Sequence, residues 1–136
     1  MSLITAQDLS VRYGGVQALA HVDFTIAPGE IVTVVGPNGS GKSTLLRALI
    51  GRLAPSAGRV ARKPGLVIGY MPQRLAVDER MPLTVRGFLN LPARRKPADI
   101  GAMLARCGVA GLEERQMSAL SGGQFQRVLL SRALLA

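Results

Sequence analysis

A glycine-rich stretch at residues 36–44 constrains the fold of this chain more than any other feature. It consists of Gly36, Pro37, Asn38, Gly39, Ser40, Gly41, Lys42, Ser43 and Thr44. This stretch matches the phosphate-binding pattern G-x-x-x-x-G-K-S/T at every specified position. An apolar, β-branched run precedes it, and leucines at helical spacing follow it. Strand, glycine-rich turn and helix are the context in which the pattern binds phosphate, and we call residues 36–44 the phosphate loop.

The chemistry of the phosphate loop predicts a nucleoside triphosphate as the ligand. Its glycines lack a Cβ, so the backbone can curl and direct several N–H groups at phosphate oxygens. The start of the following helix adds partial positive charge. Lys42 is expected to reach the β- and γ-phosphates, and the Ser43 hydroxyl to bind Mg²⁺. A glycine-rich turn that holds nothing is the alternative, and the lysine argues against it.

Apolar patterns around the phosphate loop predict an α/β fold. Strands are predicted at 3–13, 16–26, Ile31–Val35, Arg59–Ala61 and Leu66–Met71. Gly14 and Gly15 should join the first two strands as a hairpin. Helices are predicted from Gly41 to about Ile50, at 85–90, at 98–107 and from Ser121 onward. Gly51 is expected to stop the first helix, Thr84 to cap the second, and residues 91–97 to form a loop.

Four single residues carry weaker signals. Tyr13 ends a strand, where it either stacks on an adenine ring or packs at the sheet edge. Gln73 lies just past a predicted strand, where ligands gather in α/β sheets, although an ordinary loop residue would look the same. His21 falls on the polar face of its strand, which favours a solvated side chain over a ligand or base. Cys107 falls on the apolar face of its helix, which favours a buried structural thiol over a reactive one.

The bulk properties narrow the class of protein. The net charge of +9 favours a phosphate ligand, anionic lipid or nucleic acid. However, the only basic run is short, at 94–96, and aromatic residues make up 4%, so platforms for stacking bases are scarce. One cysteine allows no intrachain disulfide, and we expect neither a signal peptide nor a membrane span. The apolar content of 48% and mean hydropathy of +0.26 indicate that part of the surface meets another chain or a further part of this one.

A second glycine pair stands at the start of the last predicted helix. The segment reads Leu120, Ser121, Gly122, Gly123 and Gln124, and we call it the signature segment. Ser121 suits a helix N-cap, and the two glycines allow a backbone to approach a phosphate closely. Alone, the segment could be only a capped helix start. In a chain that carries a phosphate loop upstream, the segment becomes a specific indication of phosphate binding.

With these motifs in this order, the chain resembles the nucleotide-binding subunits of ABC transporters over essentially its whole length. In that resemblance the phosphate loop is the Walker A motif, Gln73 the Q-loop glutamine and Tyr13 the adenine-stacking aromatic. The finer match is to the ATPase of bacterial zinc importers, with manganese and iron importers sharing much of it. It is carried by Ile68–Arg74, Pro82–Val85 and Gln126–Leu130.

The resemblance implies a fold with an N-terminal antiparallel β subdomain, a P-loop α/β core and a helical insert. It divides the chain into a β subdomain with the Walker A core at 1–74, a helical subdomain at 75–120, and the signature with its helix at 120–136. It also implies ATP as substrate, with Lys42 and Gln73 catalytic. The Mg²⁺ ligands would be Ser43 and Gln73.

The resemblance implies partners as well. Two copies would face head to tail, so that each ATP lies between one copy's Walker A and the other's Ser121, Gly122, Gly123 and Gln124. An integral membrane permease would receive the motion, and an external metal-binding protein would deliver the ion. The subunit would then lie on the cytoplasmic side of the bacterial plasma membrane. No nucleic acid is expected.

The sequence also departs from the family pattern. The family continues beyond the signature helix to a strand ending in Asp-Glu and a switch histidine, whereas this sequence stops at Ala136 and its only histidine, His21, precedes the phosphate loop. We therefore expect the chain to be part of a longer protein. Phosphoryl transfer needs a metal-holding Asp and a residue that positions the attacking water. Neither is assigned here, so this segment alone is expected to be inactive.

Two other functions stay open at this point. The basic surplus would suit a soluble ABC-type ATPase acting on nucleic acid or ribosomes. Against this, the insert between Walker A and signature is short and has neither heptads nor a CxxC pair, and only one cassette is visible. The second alternative is an inactive fragment with no function of its own.

Overall fold

The computed structural model describes residues 1–91 and 93–136. The strands are β1 (Ile4–Tyr13), β2 (Val16–Ile26) and β3 (Ala57–Arg62). The α-helices are α1 (Lys42–Leu49), α2 (Val85–Leu89), α3 (Pro97–Arg106) and α4 (Gly122–Leu134). The chain forms two compact units, Met1–Leu66 and Val67–Ala136. Within the described residues, no helix has the length and apolar character needed to span a bilayer.

An antiparallel sheet with the order β2–β1–β3 organises the first unit. The predicted hairpin is confirmed, since Ile4 pairs with Ile26 and Tyr13 pairs with Val16. The predicted short strand is confirmed as β3, which pairs with the other edge of β1. Helix α1 and the sheet share the first core, whose buried members are Ala6, Leu9, Val11, Leu19, Leu45, Ala48 and Leu49.

A bulge interrupts the pairing of β1 with β2, where the sequence pattern predicts regular alternation. Asp8 and His21 both have positive φ, 52° and 49°, and the register shifts between Ala6 and Leu9. The two side chains form a hydrogen bond between Asp8 Oδ1 and His21 Nδ1. Both are largely exposed, so His21 is solvated as predicted.

Helix α1 ends at the predicted glycine. Gly51 has a φ of 85°, and its N–H donates to the Ala48 carbonyl at 3.2 Å. The next N–H, of Arg52, donates to the Arg47 carbonyl at 2.8 Å. This pair of bonds is the Schellman ending, in which the left-handed residue is usually glycine.

The second unit is helical and has a core of its own. Its buried members are Val85, Phe88, Leu89, Ile100, Leu104, Val109, Met117, Val128 and Leu129. The predicted helices at 85–90 and 98–107 are confirmed as α2 and α3, and Thr84 caps α2 by accepting from the Gly87 N–H. Cys107, predicted to be buried, is half-buried and packs against this core. The predicted loop at 91–97 includes Pro92, which lies outside the described residues.

Two predicted strands are wrong for this structure: Ile31–Val35 and Leu66–Met71 form no β-ladder. A strand needs backbone hydrogen bonds to a neighbour, and no described strand pairs with either segment. Several of their apolar side chains are accordingly exposed, with Ile31 at 94%, Val35 at 86% and Val67 at 70%. An apolar, β-branched pattern indicates residues that suit a pleated, buried surface. It carries no information on whether a neighbouring strand is present to pair with them.

These exposed segments lead to a prediction for the chain expressed as residues 1–136 alone. Exposed apolar side chains favour association between copies, so we expect loss of monomer at micromolar concentration and no Mg-ATP turnover. Size-exclusion chromatography with light scattering measures the first, and a phosphate-release assay the second. Replacing Ile31 and Val35 by threonine should reduce the association. A monomer with a cooperative thermal transition and turnover above background would contradict the prediction.

Gly69 marks a close approach of backbones within the second unit. A Cβ built there would lie closer than 3.0 Å to the carbonyl group of Ala133 in α4. We therefore expect Gly69→Ala to destabilise the full-length protein by about 1–3 kcal/mol through overpacking. Thermal or urea unfolding measures the change. The matched control is Gly101→Ala in α3, where the nearest atom lies at 3.6 Å and alanine should be neutral or stabilising. Equal stability of the two variants would contradict the close approach.

Candidate functional site

The phosphate loop closes around the side chain of its own lysine. Lys42 Nζ donates to the carbonyl oxygens of Gly36 at 2.7 Å and Pro37 at 2.6 Å, and a longer bond of 3.4 Å reaches Ser40 Oγ. The Ser40 N–H donates to the Pro37 carbonyl, which tightens the turn. The ammonium is therefore held inside the loop, where phosphate oxygens are expected.

Gly41, which directly precedes α1, is the position in the loop that most needs glycine. Its φ is 98°, a conformation that side chains rarely adopt. A Cβ there would also lie 2.6 Å from the Ala18 carbonyl oxygen and 2.9 Å from Leu19 Cδ2. The sharp turn therefore brings the start of α1 directly against β2.

The first turn of α1 leaves donors available for a ligand. No side chain caps the helix, and it begins with Lys42, Ser43 and Thr44. The first N–H groups of a helix have no partner within the helix, and the helix dipole places partial positive charge there. Ser43 is exposed at this end. The arrangement suits a phosphate group with a bound cation.

The signature segment forms a reciprocal cap at the start of α4. Ser121 Oγ accepts from the Gln124 N–H at 3.2 Å, and Gln124 Oε1 accepts from the Ser121 N–H at 3.0 Å. This capping box satisfies two donors that the helix cannot satisfy internally. The predicted N-cap is confirmed, and the side chain of Gln124 has a structural role in this arrangement.

Packing against residues 1–91 and 93–136 gives Gly122 and Gly123 no steric reason to be glycine. A Cβ built at either position meets no atom of these residues within 4 Å, and neither glycine has a positive φ. Glycine in a helix is less stable than alanine. The open space leaves room for a ligand to approach the start of α4, which the predicted contact with a phosphate requires.

A concavity of about 400 Å³ lies beside the signature segment. It is lined by Gly108, Val109, Ala110, Leu112, Ser121, Gly123, Gln124 and Arg127. Sequence reasoning missed Arg127, which donates to the Gly108 carbonyl at 3.4 Å. The signal that could have identified it was a positively charged residue in the helix that begins at the signature segment.

The remaining predicted residues are exposed. Tyr13 ends β1 with 46% of its surface accessible, and Gln73 lies in an irregular segment of the second unit. The structure thus gathers the loop residues around Lys42 and pairs Ser121 with Gln124. The roles of Tyr13 and Gln73 stay predictions.

Comparison with known proteins gives a consistent result. The family model described as ABC transporter matches residues 19–136. The chain is 66% identical over 134 residues to the zinc import ATP-binding protein ZnuC of Paracoccus denitrificans, covering 98% of this chain and 53% of that protein. For the protein of the same name from Cereibacter sphaeroides, the identity is 62%, covering 99% of this chain and 56% of that protein. The chain spans about half the length of the curated relatives it matches.

Solved structures agree with these relatives. A metal-chelate type ABC transporter in an inward-facing conformation matches with a TM-score of 0.81 and 28% identity, covering 98% of this chain and 55% of that one. An ATP-binding cassette of an ABC transporter in its ADP conformation matches with a TM-score of 0.77 and 23% identity, covering 99% and 65%. The predicted fold, with its antiparallel β subdomain and helical insert, is therefore confirmed.

Proposed function

This chain belongs to the ABC transporter family, and from that premise we propose that it is part of the ATP-binding subunit of an importer for a divalent metal, with zinc as the ion. The support for ATP is the phosphate loop, in which Lys42 Nζ is held by the carbonyls of Gly36 and Pro37 beside an uncapped helix start. The support for zinc is the identity to relatives named as zinc import ATP-binding proteins.

In the proposed complex the ammonium of Lys42 exchanges loop carbonyls for the β- and γ-phosphate oxygens. Those oxygens carry full negative charge, so charge-assisted hydrogen bonds replace neutral ones. The N–H groups of the loop and of the first turn of α1 supply further donors. Tyr13 stacks on the adenine ring, which its exposure at the end of β1 permits.

The residues present fit a Mg²⁺ ion that is held mainly by the nucleotide. No group of three or more His, Cys, Asp or Glu side chains that could hold a metal occurs in the residues that the structure describes. Mg²⁺ keeps several waters and is commonly bound by phosphates and only one or two protein oxygens. The exposed Ser43 hydroxyl would supply one such oxygen, and Gln73 another. When bound, the ion neutralises charge on the phosphates during transfer.

We propose that Ser121, Gly122, Gly123 and Gln124 contact the γ-phosphate of ATP bound to a second copy. The open space at both glycines supports this, because packing among the residues that the structure describes does not require glycine there. ATP would close the head-to-tail dimer, and hydrolysis would open it. The same scheme divides the chain into a β subdomain with the Walker A core at 1–74, a helical subdomain at 75–120, and the signature with its helix at 120–136.

The further partners follow from the importer scheme. A membrane permease would contact the helical subdomain, and an external metal-binding protein would deliver the ion from the other side. The subunit would thus be peripheral, on the cytoplasmic face of the bacterial plasma membrane. Lys42 and Gln73 would act on the bound nucleotide, with Gln73 transmitting the state of the γ-phosphate to the insert.

The decisive experiment is uptake by the full-length protein with its permease in proteoliposomes. We expect ATP hydrolysis and import of Zn²⁺ when the external metal-binding protein is present, and less import of Mn²⁺ or Fe²⁺. Import of manganese or iron in preference to zinc would contradict the ion assignment. ATPase activity stimulated by RNA or ribosomes, with no metal import, would favour the soluble alternative.

A further inference from the structure

The basic run at 94–96 is not used by the proposed function, and the fold places it in a concavity of its own. This concavity of about 450 Å³ lies where α2 leads into α3. Its lining consists of Arg86, Asn90, Arg94, Arg95, Lys96 and Pro97, and we call it the basic pocket. Most of these residues carry a positive charge.

Neighbouring carboxylates compensate this charge only in part. Arg86 Nε donates to Glu114 Oε1 at 2.7 Å. Asp99 lies in the first turn of α3 and adds one further negative charge nearby. In residues 1–91 and 93–136, no ion pair involves Arg94, Arg95 or Lys96. The basic pocket therefore keeps a positive surplus that attracts anions.

Arg95 is fixed by its backbone but has an unused side-chain donor. Its N–H donates to Asn90 Oδ1 at 2.7 Å, and Asn90 Nδ2 donates to the Arg86 carbonyl at 3.0 Å. Arg95 Nε is hidden from solvent and has no hydrogen-bond partner among the described residues. A covered N–H without an acceptor is unfavourable. The described residues therefore leave this N–H without the acceptor that it requires.

The start of α3 points to the same kind of partner. Lys96 is the N-cap residue and Pro97 follows it, and no side chain of the described residues caps the helix. The partial positive charge of the helix start therefore adds to that of the side chains. This contribution is independent of the unpaired Arg95 Nε.

We propose that the basic pocket binds a phosphate oxyanion, with Arg95 as its principal ligand. Because Nε is covered in the free protein, the side chain must turn toward the concavity for its fork of N–H donors to reach two oxygens, an arrangement that matches the geometry of phosphate. Arg94 and Lys96, both exposed, supply charge at the rim. The phosphate belongs either to the headgroup of an anionic lipid or to a small soluble compound, since both present the same oxygens. The site is separate from the phosphate loop.

The test uses the full-length protein carrying Lys42→Ala, which removes binding of phosphate at the phosphate loop. Titration calorimetry with inorganic phosphate and co-sedimentation with phosphatidylglycerol or phosphatidylcholine vesicles measure the two sources. We expect Arg95→Gln to weaken the binding by about tenfold or more, because it removes the charged fork of donors. The double variant R94Q/K96Q should weaken it as well. Arg106→Gln, which removes one charge at the other end of α3, should leave it unchanged.

Binding of inorganic phosphate supports a soluble source, and binding only to the anionic vesicles supports a headgroup. R94Q/K96Q changes two exposed side chains, so circular dichroism should match the parent even if Arg95→Gln unfolds. Absence of both kinds of binding in the parent would overturn the proposal. So would parent-like affinity in both pocket variants, or binding of an acidic peptide in place of phosphate and vesicles.

Discussion

Replacing Lys42 by alanine in the full-length protein is expected to lower the affinity for ATP by at least about a hundredfold. Hydrogen bonds to charged groups contribute about 1.5–3 kcal/mol each, and 1.4 kcal/mol is a factor of ten. The ammonium is positioned for more than one such bond, because it already makes short bonds to two loop carbonyls. Titration calorimetry or a fluorescent ATP analogue measures the loss.

The fold should survive this change, because Lys42 contributes hydrogen bonds to an exposed loop and no side chain to the first core. Circular dichroism and the melting temperature should therefore stay close to the parent. Lys63→Ala is the matched control, since it removes an equal charge at an exposed position of the same unit. Unchanged ATP affinity in the Lys42 variant would contradict the phosphate-loop assignment.

Gly122→Asp is expected to abolish ATP-dependent dimerisation and hydrolysis while each copy still binds ATP. A carboxylate about 4 Å from a phosphate charge costs about 4 kcal/mol at an effective dielectric constant near 20. This corresponds to roughly a thousandfold decrease in the equilibrium constant for closing the dimer. Sedimentation velocity with Mg-ATP, under conditions that prevent turnover, measures the dimer. Phosphate release measures hydrolysis.

Two features of the structure separate this effect from misfolding. A Cβ at Gly122 meets no atom in the described part of this chain, and a carboxylate in the first turn of a helix interacts favourably with the helix dipole. The variant should therefore be at least as stable as the parent. Gly122→Ala adds the same Cβ without the charge, so it separates crowding from repulsion. Dimerisation of the aspartate variant at parent levels would refute the signature assignment.

Local signals in the sequence were sufficient for the hairpin, α1 and the Ser121 N-cap. Each depends on neighbours close in sequence: Gly51 ends a helix that starts nine residues earlier, and Ser121 and Gln124 lie three residues apart. Such interactions involve only residues within one short stretch of the chain. The phosphate loop is equally local, and Lys42 bonds the carbonyls of Gly36 and Pro37 within it.

The features that sequence reasoning missed depend on distant partners. Ile31–Val35 and Leu66–Met71 have the composition of buried strands, yet a ladder needs a neighbour that composition does not identify. The basic pocket likewise requires Asn90 to accept a hydrogen bond from the backbone of Arg95. No sequence motif predicts this contact. The bulge was signalled only by three-residue spacing between the buried Ala6 and Leu9, where strict alternation would require an even number.

The capping box restricts the rotation of a hydroxyl group before any ligand arrives. One lone pair of Ser121 Oγ is occupied by the Gln124 N–H, while the hydroxyl keeps its own hydrogen free to donate. That hydrogen must turn away from the amide, which removes part of its rotational freedom. A phosphate oxygen reaching the start of α4 would thus meet a donor with less rotational entropy to lose, and preorganisation of this kind strengthens binding without adding a contact.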